Sequence, residues 1–527
     1  MINKSKKKNI KNSKNKNQNQ FFSRKIFFYK EDNKSKKKIL FVDRERIDNL
    51  FLLSTFCTAV SKRFKYNTII LTDKSKDSLN VRFYKKLGFK KFLNGYSLNK
   101  LFTNLDITLK TFIMSLYAIT KIYFNGFGWL INEFKINKIY IGDLIYDTNI
   151  RYNDRYLFLK IDKYFIKILF SSIFRFLLIK QYILKYNINK IVIPSETGSR
   201  NLGLTHRIGA SLNIKNYTLF RAAGSNISVM TYDKKILNNA VGYLTKSNLK
   251  KITNQISLRE INRFYNQRKK FQTENLLTYN DYVRANKNLN LKSDFLASLK
   301  KNKNKKILFA SHAFFDAPHI FGKFIFNDYY HQLLETLKFV YQNDNKNIWI
   351  FKRHPSSKFP KEKNIFKNCL QKYKKKNIFL CPDNVPTNSL IKVCDVIVTG
   401  RGTIGIESAC EGKLVITGGK STYSNLNISR EPKNSKDYFK YLSQIRNNFN
   451  YNKKIMLAKK ALYIFENGLN VNSVSTRTIK KNKFFFTYMK SFNQKNKNNE
   501  KIFYLVNKLT KGDFTKSGIF KNLMKII

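Results

Sequence analysis

Residues 394–412 read CDVIVTGRGTIGIESACEG and combine three features in a fixed order. An apolar run ends at Thr399, a turn with three glycines follows, and a helical stretch carries Glu407. Glycine lets the backbone approach a ligand closely, and the first N–H groups of a helix suit phosphate. The stretch therefore predicts a strand–turn–helix unit with a phosphate site. An ordinary tight turn would give the same spacing, and the pattern is neither a Rossmann fingerprint nor a Walker loop.

Several side chains of this stretch are suited to a nucleotide. A threonine hydroxyl after the turn adds a hydrogen-bond donor, and a carboxylate on the helix suits ribose hydroxyls. The candidate donor-binding residues here are Thr399, Gly400, Arg401, Gly402, Thr403 and Glu407.

The unit belongs to a series of short apolar runs that alternate with helical stretches. Such alternation predicts βα units and a parallel sheet covered on both faces. The predicted strands are Ile307–Ala310, Asn347–Phe351, Asn377–Leu380, Val393–Thr399 and Leu414–Thr417, and the predicted helices are Asp328–Gln342, Pro360–Tyr373, Thr387–Lys392 and Ile404–Glu411.

A similar series precedes it. Gly88 suits the cap of a helix that leads into a short strand, and residues 156–186 form one aromatic helical pattern. The predicted strands are Ile39–Asp43, Asn67–Thr72, Lys138–Gly142, Lys190–Pro194 and Tyr217–Phe220, with a helix over Ile47–Lys62.

These series divide the chain into five parts. Residues 1–37 form a basic tail, 38–225 and 301–434 two Rossmann-like domains, 226–300 a helical or irregular connector without strand signals, and 435–527 C-terminal helices and a basic tail. The predicted fold class is α/β, with two doubly wound domains facing a central cleft where ligands should bind.

The composition limits the classes of partner and the cellular setting that the protein can have. The chain has 527 residues, 101 Lys+Arg against 33 Asp+Glu and a net charge of +68, which predicts attraction to nucleic acid, anionic lipid or phosphorylated substrates. The five cysteines form no CxxC pair, so neither a disulfide framework nor a zinc site is indicated.

Residues 1–20 lack the apolar core of a secretory signal. The strongest candidate membrane span, Phe165–Ile179, is interrupted by Lys167 and Arg175, so we expect a soluble or peripheral protein.

Two histidine-bearing segments follow strands of the second series. IFKRHPSS at 350–357 places His354 beside Lys352 and Arg353, and all three are candidate donor-binding residues that could stabilise a phosphate. The histidine can donate to the phosphate or exchange a proton; a solvated X-Pro turn is the alternative. FASHAFFDAPHIF at 309–321 holds His312, Asp316 and His319, and a histidine beside a carboxylate is typical of a general base. The alternatives are metal ligation, for which a fourth ligand is missing, and a plain loop.

Two segments of the first series follow strands on the same side. IGDLIYDTNIR at 141–151 and PSETGSR at 194–200 carry carboxylates, which suit acceptor hydroxyls, and arginines, which suit anionic sugars. Helix capping is the alternative for some of them. The candidate acceptor-side residues are Asp143, Asp147, Arg151, Glu196 and Arg200.

RHP after a strand, TGRGTIGIESACEGKLVI and SHAFFDAPH together resemble the capsule polysaccharide biosynthesis family of bacterial glycosyltransferases. That group includes transferases of 3-deoxy-manno-octulosonate (Kdo), and it is similar, more distantly, to the CDP-glycerol glycerophosphotransferases of wall teichoic acid synthesis. The resemblance is clearest over 300–420, extends over 38–225, and is absent in both tails.

The resemblance implies a GT-B fold with the donor nucleotide in the C-terminal domain, the acceptor in the N-terminal domain, and neither an obligatory metal nor a cofactor. His354 and the Gly402–Thr403 turn would bind the donor phosphate, Glu407 its ribose, and His312 or Asp316 would lie near the reacting centre. The implied reaction transfers a sugar from a nucleotide-sugar donor to a lipid-linked or oligosaccharide acceptor of a surface polysaccharide. CDP-glycerol-type transfer is the alternative within this group.

The positive charge leaves two further readings open. It can hold the protein at an anionic inner membrane face, which predicts a cytoplasmic, peripheral location. It is also compatible with a non-catalytic nucleic-acid-binding protein, although the basic residues are spread along the chain and no RNP, zinc-finger or GXXG signal occurs. We therefore expect no specific nucleic acid partner.

Overall fold

The computed structural model describes most of both predicted domains. The described residues are 31, 35–43, 57–58, 61, 64–74, 78–86, 88–153, 160–193, 200–221, 227–232, 250, 254, 256–269, 294–319, 322–354, 360–446 and 454–467. Most of the predicted basic tail over residues 1–37, most of the predicted helix Ile47–Lys62 and the residues beyond 467 lie outside this set.

The described residues of the first half form eight strands, and its helices cover the larger sheet. In chain order its elements are β1 (Lys38–Val42), β2 (Asn67–Thr72), α1 (Leu79–Lys86), β3 (Lys91–Asn94), α2 (Leu98–Thr103), α3 (Leu105–Glu133), β4 (Lys135–Ile136), β5 (Ile139–Tyr140), α4 (Gly142–Asn153), α5 (Lys163–Lys185), β6 (Ile188–Ile193), α6 (Arg200–Ser211), β7 (Lys215–Arg221) and β8 (Ile227–Tyr232).

Six of these strands form a sheet in the order β3-β2-β1-β6-β7-β8. All neighbours are parallel except β8, which runs antiparallel to β7 at the edge. Central strands of such a sheet are covered on both faces and read as continuous apolar runs. Accordingly, Ile39, Leu40 and Phe41 of β1 are fully buried. The order reverses beside β1, as in Rossmann-like sheets.

The second half begins with two helices and continues as a βα series. Its elements are α7 (Leu258–Lys269), α8 (Asp294–Lys301), β9 (Lys306–Ala310), α9 (Tyr329–Asn343), β10 (Ile348–Lys352), α10 (Pro360–Lys372), β11 (Ile378–Leu380), α11 (Thr387–Val393), β12 (Val396–Thr399), α12 (Thr403–Ala409), β13 (Leu414–Thr417), α13 (Ser435–Ser443), a 3₁₀ turn (Gln444–Arg446) and α14 (Ile455–Asn467).

The second sheet has the order β11-β10-β9-β12-β13, and every neighbouring pair is parallel. This is again the Rossmann-like order, with the reversal beside β9. The predicted α/β fold with two doubly wound, Rossmann-like units is thus confirmed, and its strand orders match a GT-B-like architecture. The predicted helices at 435–467 are also present, as α13 and α14.

Two predictions about strands were wrong. Residues 226–300 were expected to hold no strand, yet Ile227–Tyr232 forms β8. An antiparallel edge strand alternates apolar and polar residues, so ISVMTY lacks the continuous apolar run that marked the other strands. Lys138–Gly142 was expected to be a strand of the βα series. Instead, Asn137 and Lys138 have positive φ values of 49° and 66°, typical of a tight hairpin turn, and β4 and β5 pair only with each other.

The helix that could cross a membrane by length and composition is not the one that the sequence indicated. Phe165–Ile179 lies within α5, whose residues Phe165, Leu169 and Ile173 are fully buried in the core. Among the described residues, α3 is the one helix long and apolar enough to cross a membrane, by length and composition alone. Gly126, with φ 71°, breaks α3 into two helical segments.

Candidate functional site

The carboxyl ends of three neighbouring strands bring the second-half candidates together. Ala310, the last residue of β9, pairs in register with Lys352 of β10 and with Thr399 of β12. The segments after these strands carry His312, His354 and the glycine turn. Because the strand order reverses between β10 and β12, this edge is the topological switch point of the sheet, where ligands of such folds bind.

Three rings stack at this edge. The ring centroid of His312 lies 4.4 Å from that of Tyr329 and 5.7 Å from that of His354, and the ring planes of both pairs are nearly parallel. Burial, reinforced by His354 and Arg401, holds the pKa of His312 well below its ordinary value. His312 is therefore neutral near neutral pH and offers one ring N–H and one lone pair rather than a positive charge.

The glycine turn packs directly against this stack. A Cβ atom at Gly400 would lie 2.7 Å from the Tyr329 ring, and one at Gly402 would lie 3.3 Å from Nε2 of His312. A larger residue at Gly400 would push Tyr329 away from its place. The Arg401 side chain is buried with its guanidinium 5.0 Å from the centroid of Phe324. The Arg401 cation, His312 and His354 therefore all lie close to the backbone of the glycine turn.

Of the remaining residues around the turn, Thr399 and Gly405 are buried and Thr403 is exposed. Thr399 is buried, and its hydroxyl donates to the carbonyl of Ala310 over 3.0 Å. Thr403 is exposed at the first position of α12. A Cβ atom at Gly405 would collide with the hydroxyl of Tyr423, which itself donates to the Gly402 carbonyl. Gly405 therefore serves helix packing.

His319 is held by a carboxylate from the other half of the molecule. Its Nδ1 lies 2.6 Å from Oδ1 of Asp147 on α4, and its backbone N–H donates to Oδ2 of the same carboxylate over 3.0 Å. Both side chains are almost fully buried. No described residue bonds Nε2 of His319. Burial raises the pKa of Asp147 above its ordinary value, against the opposing pull of His319.

This pairing differs from the one that the sequence suggested. Asp316 was the carboxylate expected to orient a histidine of its own segment, but its nearest oxygen is 4.0 Å from Nδ1 of His312 and its side chain is half exposed. At that distance no hydrogen bond fixes the ring. Asp147, predicted on the acceptor side, takes the orienting place beside His319 instead.

The other acceptor-side candidates are scattered. Asp143 receives two hydrogen bonds from Arg207 of α6, at 2.6 and 2.7 Å. Burial works to raise the pKa of Asp143, but the Arg207 charge and hydrogen bonds prevail and hold it below its ordinary value. Arg151 is exposed in the last turn of α4. Glu196 lies outside the described residues, and Arg200 begins α6 with a side chain that is not described.

Two predicted phosphate ligands have structural partners. The Lys352 side chain is buried and donates to the Val385 carbonyl over 2.7 Å; burial lowers its pKa. Arg353 pairs with Asp383 at 2.7 Å. Of the three residues in KRH, the histidine alone joins the ring stack described above. Lys352 therefore belongs to the core beneath the site, which corrects its assignment as a phosphate ligand.

Glu407, the predicted ribose ligand, also has a protein partner. Its Oε1 accepts from Arg268 of α7 over 2.7 Å in a largely buried ion pair. This contact fixes α7 against α12. The ribose role of Glu407 stays a prediction, and it would have to coexist with that ion pair.

A second buried link joins the halves beside His319. Tyr146, next to Asp147 on α4, donates its hydroxyl to Asp328 over 2.6 Å. The other oxygen of Asp328 accepts from the backbone N–H of His331 and lies 2.8 Å from its Nδ1. Asp328 also begins α9, so the helix that carries Tyr329 is anchored to the first half.

Sequence reasoning missed several of these residues. Tyr329, Phe324 and Arg207 lack any motif, and their roles follow from distances between segments far apart in the chain. Asp328 was visible only as the start of a predicted helix. Within the described ranges, no three or more His, Cys, Asp or Glu side chains gather as a metal site would need.

Comparisons with known proteins agree with the capsule-related resemblance. The family model described as capsule polysaccharide biosynthesis protein matches residues 217–465, from β7 to the last helix. No curated protein matches the chain.

Solved structures similar to the chain include a β-Kdo 2,7-transferase, KpsC of Thermosulfurimonas dismutans, at 16% identity and a TM-score of 0.32, over 59% of this chain and 88% of that one. MnaA of S. aureus in complex with UDP is similar at 11% identity and a TM-score of 0.26, over 81% and 91%. The UDP-GlcNAc 2-epimerase of Neisseria meningitidis bound to UDP-GlcNAc is similar at 10% identity and a TM-score of 0.28, over 81% and 98%.

The fold assignment rests on the strand orders given above rather than on these distant similarities. The family match covers the whole ring stack, the glycine turn and His319. Over residues 217–465, the chain is similar to the capsule polysaccharide biosynthesis family.

Proposed function

We propose that the chain is a glycosyltransferase of capsule polysaccharide synthesis. It would transfer a sugar from a nucleotide-sugar donor to a lipid-linked or oligosaccharide acceptor on the cytoplasmic side of the membrane. The observation that carries the proposal is the buried His319–Asp147 pair, which joins the two halves next to the switch point of the second sheet.

The pair has the arrangement of an oriented general base. Asp147 accepts a hydrogen bond from the N–H at Nδ1, which leaves the lone pair on Nε2, the atom without a partner among the described residues. An acceptor hydroxyl that reaches Nε2 would lose its proton there as its oxygen bonds to the donor sugar. The bond from that sugar to the nucleotide phosphate breaks in the same exchange. Because Nε2 is buried, the acceptor must enter by separating the two halves locally.

The carboxyl edge of the second sheet suits the donor. The glycine turn offers backbone N–H groups, Arg401 a fixed positive charge, and His354 and neutral His312 ring donors. These groups can stabilise the negative charge on the departing phosphate. With these groups in place, the transfer would need no obligatory metal.

The transfer reaction itself tests the base. We expect His319→Gln and Asp147→Asn each to lower the transfer rate by about 10²–10⁴-fold, the contribution typical of general base catalysis. The matched control is His331→Gln, since His331 contacts Asp328 through the same atom but is 44% exposed. The assay follows sugar transfer from CMP-, CDP-, UDP- and GDP-linked donors to capsule oligosaccharide. A fully folded His319→Gln variant with the rate of the unaltered protein would overturn this assignment.

A thermal-shift screen tests the donor side separately. A nucleotide at a hundredfold its dissociation constant should stabilise the protein by about 2.7 kcal/mol. We expect one of CMP, CDP, UDP and GDP to give this shift and His354→Ala to abolish it. Glu407→Ala decides between a ribose ligand and a purely structural residue: in the second case the shift persists on a lower starting melting temperature. A shift unaffected by His354→Ala would place the nucleotide elsewhere.

A further inference from the structure

The outward side of α2 and α3 is apolar over five helical turns. Phe102, Leu105, Leu109, Phe112, Leu116 and Phe124 are between 49% and 75% exposed. In α3 the spacing from Leu105 through Leu109, Phe112 and Leu116 places these side chains on one face. Contiguous apolar surface of this kind marks an interaction site. We call this surface the α3 face.

We propose that the α3 face binds the surface of an anionic phospholipid bilayer, with the helix lying in the plane of the interface. The opposite side of α3 packs on the protein through a stripe that includes Ile107, Ala118 and Ile122. A helix that crossed the bilayer would have to leave this core. One apolar face outward and one face packed on the protein are typical of an interfacial helix.

The residues around the α3 face match an anionic lipid surface. Lys110 and Lys121 lie on the same side of the apolar stripe on α3, and Lys163 and Lys167 are exposed in the first turns of α5. The start of α5 lies beside the end of α3, since the ring centroids of Phe127 and Phe165 are 5.3 Å apart. Each lysine near an anionic membrane contributes about 1 kcal/mol of attraction.

Aromatic side chains strengthen the match. Tyr117 and Tyr123 are exposed on α3, and Tyr164 is exposed at the start of α5. Tyrosine prefers the boundary between headgroups and hydrocarbon because its ring is apolar and its hydroxyl is polar. The net charge of +68 favours an anionic lipid surface over a second copy of the chain as the binding partner. Two such chains repel each other, whereas anionic lipid attracts them.

The α3 face is close to the candidate site. Phe127, just after the break in α3, lies 6.1 Å from the ring of Tyr146, which lies 5.9 Å from the ring of His319. A Cβ atom at Gly128 would lie 3.8 Å from Asn327 of the second half, next to Asp328. Binding through the α3 face would therefore set the candidate site beside the bilayer surface, within reach of an acceptor carried on a lipid.

The chain contains its own reporter for this proposal. It has two tryptophans, and Trp129 lies near the α3 face with its ring 5.8 Å from Tyr117, whereas Trp349 is fully buried in the second half. In a Trp349→Phe background, we expect vesicles of phosphatidylglycerol to shift the Trp129 emission to shorter wavelength and to co-sediment the protein at about 0.15 M salt. Vesicles of phosphatidylcholine should do neither.

The decisive variant is Leu109→Ser with Phe112→Ser, which keeps every charge. We expect it to lose at least tenfold in affinity for phosphatidylglycerol vesicles. The matched control, Tyr341→Ser with Phe379→Ser, removes two exposed rings from the second half and should bind as before. Unchanged binding by the α3 variant would overturn the proposal, because attraction would then come from charge alone. A dimer in sedimentation equilibrium that this variant abolishes, without vesicle binding, would equally overturn it in favour of a second copy. Neither readout uses a nucleotide sugar, so the result is independent of the transfer reaction.

Discussion

Asp143 and Asp147 lie one helical turn apart on α4 and have opposite surroundings. Asp143 faces the Arg207 guanidinium, which lowers its pKa, whereas burial beside an imidazole raises the pKa of Asp147. A lowered pKa belongs to a carboxylate that is stable as an anion. At the scale of single residues, α4 therefore holds one structural ion pair and one candidate proton-transfer pair.

The ion pair predicts a pH-dependent loss of stability. Because the pKa of Asp143 is lower in the folded than in the unfolded state, its contribution is complete above its ordinary pKa and disappears as the pH falls through the folded value. We expect Asp143→Asn to lower the free energy of unfolding by about 3–5 kcal/mol at neutral pH, since Arg207 is left buried without its anion. Urea unfolding should show this difference shrinking at about pH 3, below the ordinary Asp pKa.

A surface pair gives the control for this prediction. Asp106 lies 3.9 Å from Lys110 on α3, and both side chains are 67% exposed. Asp106→Asn should change the free energy of unfolding by less than about 1 kcal/mol, because exposed ion pairs contribute little. Equal effects of the two substitutions would mean that the Asp143–Arg207 pair does not stabilise the fold.

Individual site residues were visible in the sequence only where a motif marked them. The glycine turn and the histidines stood out because rare residue types followed predicted strands. Their partners did not: Asp147 and His319 are 172 positions apart, and nothing local to either segment indicates the contact. Lys352 shows the converse failure, since a lysine next to a histidine suggested a phosphate ligand while the end of β10 buries it.

At the scale of elements, the glycines before α12 and the glycine inside it have different structural roles. Gly400 and Gly402 lie against the rings of Tyr329 and His312, whereas Gly405 lies against Tyr423. The same spacing had suggested a single role in ligand approach. The strands were predictable because buried parallel strands are continuous apolar runs, and β8 was missed because an edge strand is not.

Gly405 gives a prediction that separates packing from binding. A Cβ atom there would lie 2.0 Å from the Tyr423 hydroxyl, so we expect Gly405→Ala to lower stability by about 1–3 kcal/mol. Removing the hydroxyl in the double variant with Tyr423→Phe should recover part of this loss in urea unfolding. The nucleotide-induced thermal shift should survive in the double variant. Complete loss of that shift despite recovered stability would show that Gly405 contacts the donor.

At the scale of the whole molecule, buried polar links join the two sheets. Tyr146 with Asp328 and His319 with Asp147 join segments that the sequence placed in separate domains. The apolar core is also continuous, since residues of β1 and β9 belong to the same cluster. The two Rossmann-like sheets were predictable from local pattern, but their relative placement depends on contacts that have no local signature.

The charge of the whole molecule gives a last prediction about specificity. A net charge of +68 spread along the chain should bind RNA without regard to sequence. We expect oligo(U) and oligo(A) to bind equally in fluorescence anisotropy, with an affinity that falls by about 10²–10⁴ between roughly 50 and 200 mM salt if six to ten phosphates of the single strand are contacted. His319→Gln should leave this binding unchanged, because it removes no surface charge. A preference of more than about tenfold for one RNA, or binding that persists near 1 M salt, where charges are screened within about 3 Å, would instead indicate a dedicated nucleic-acid site and count against the transferase.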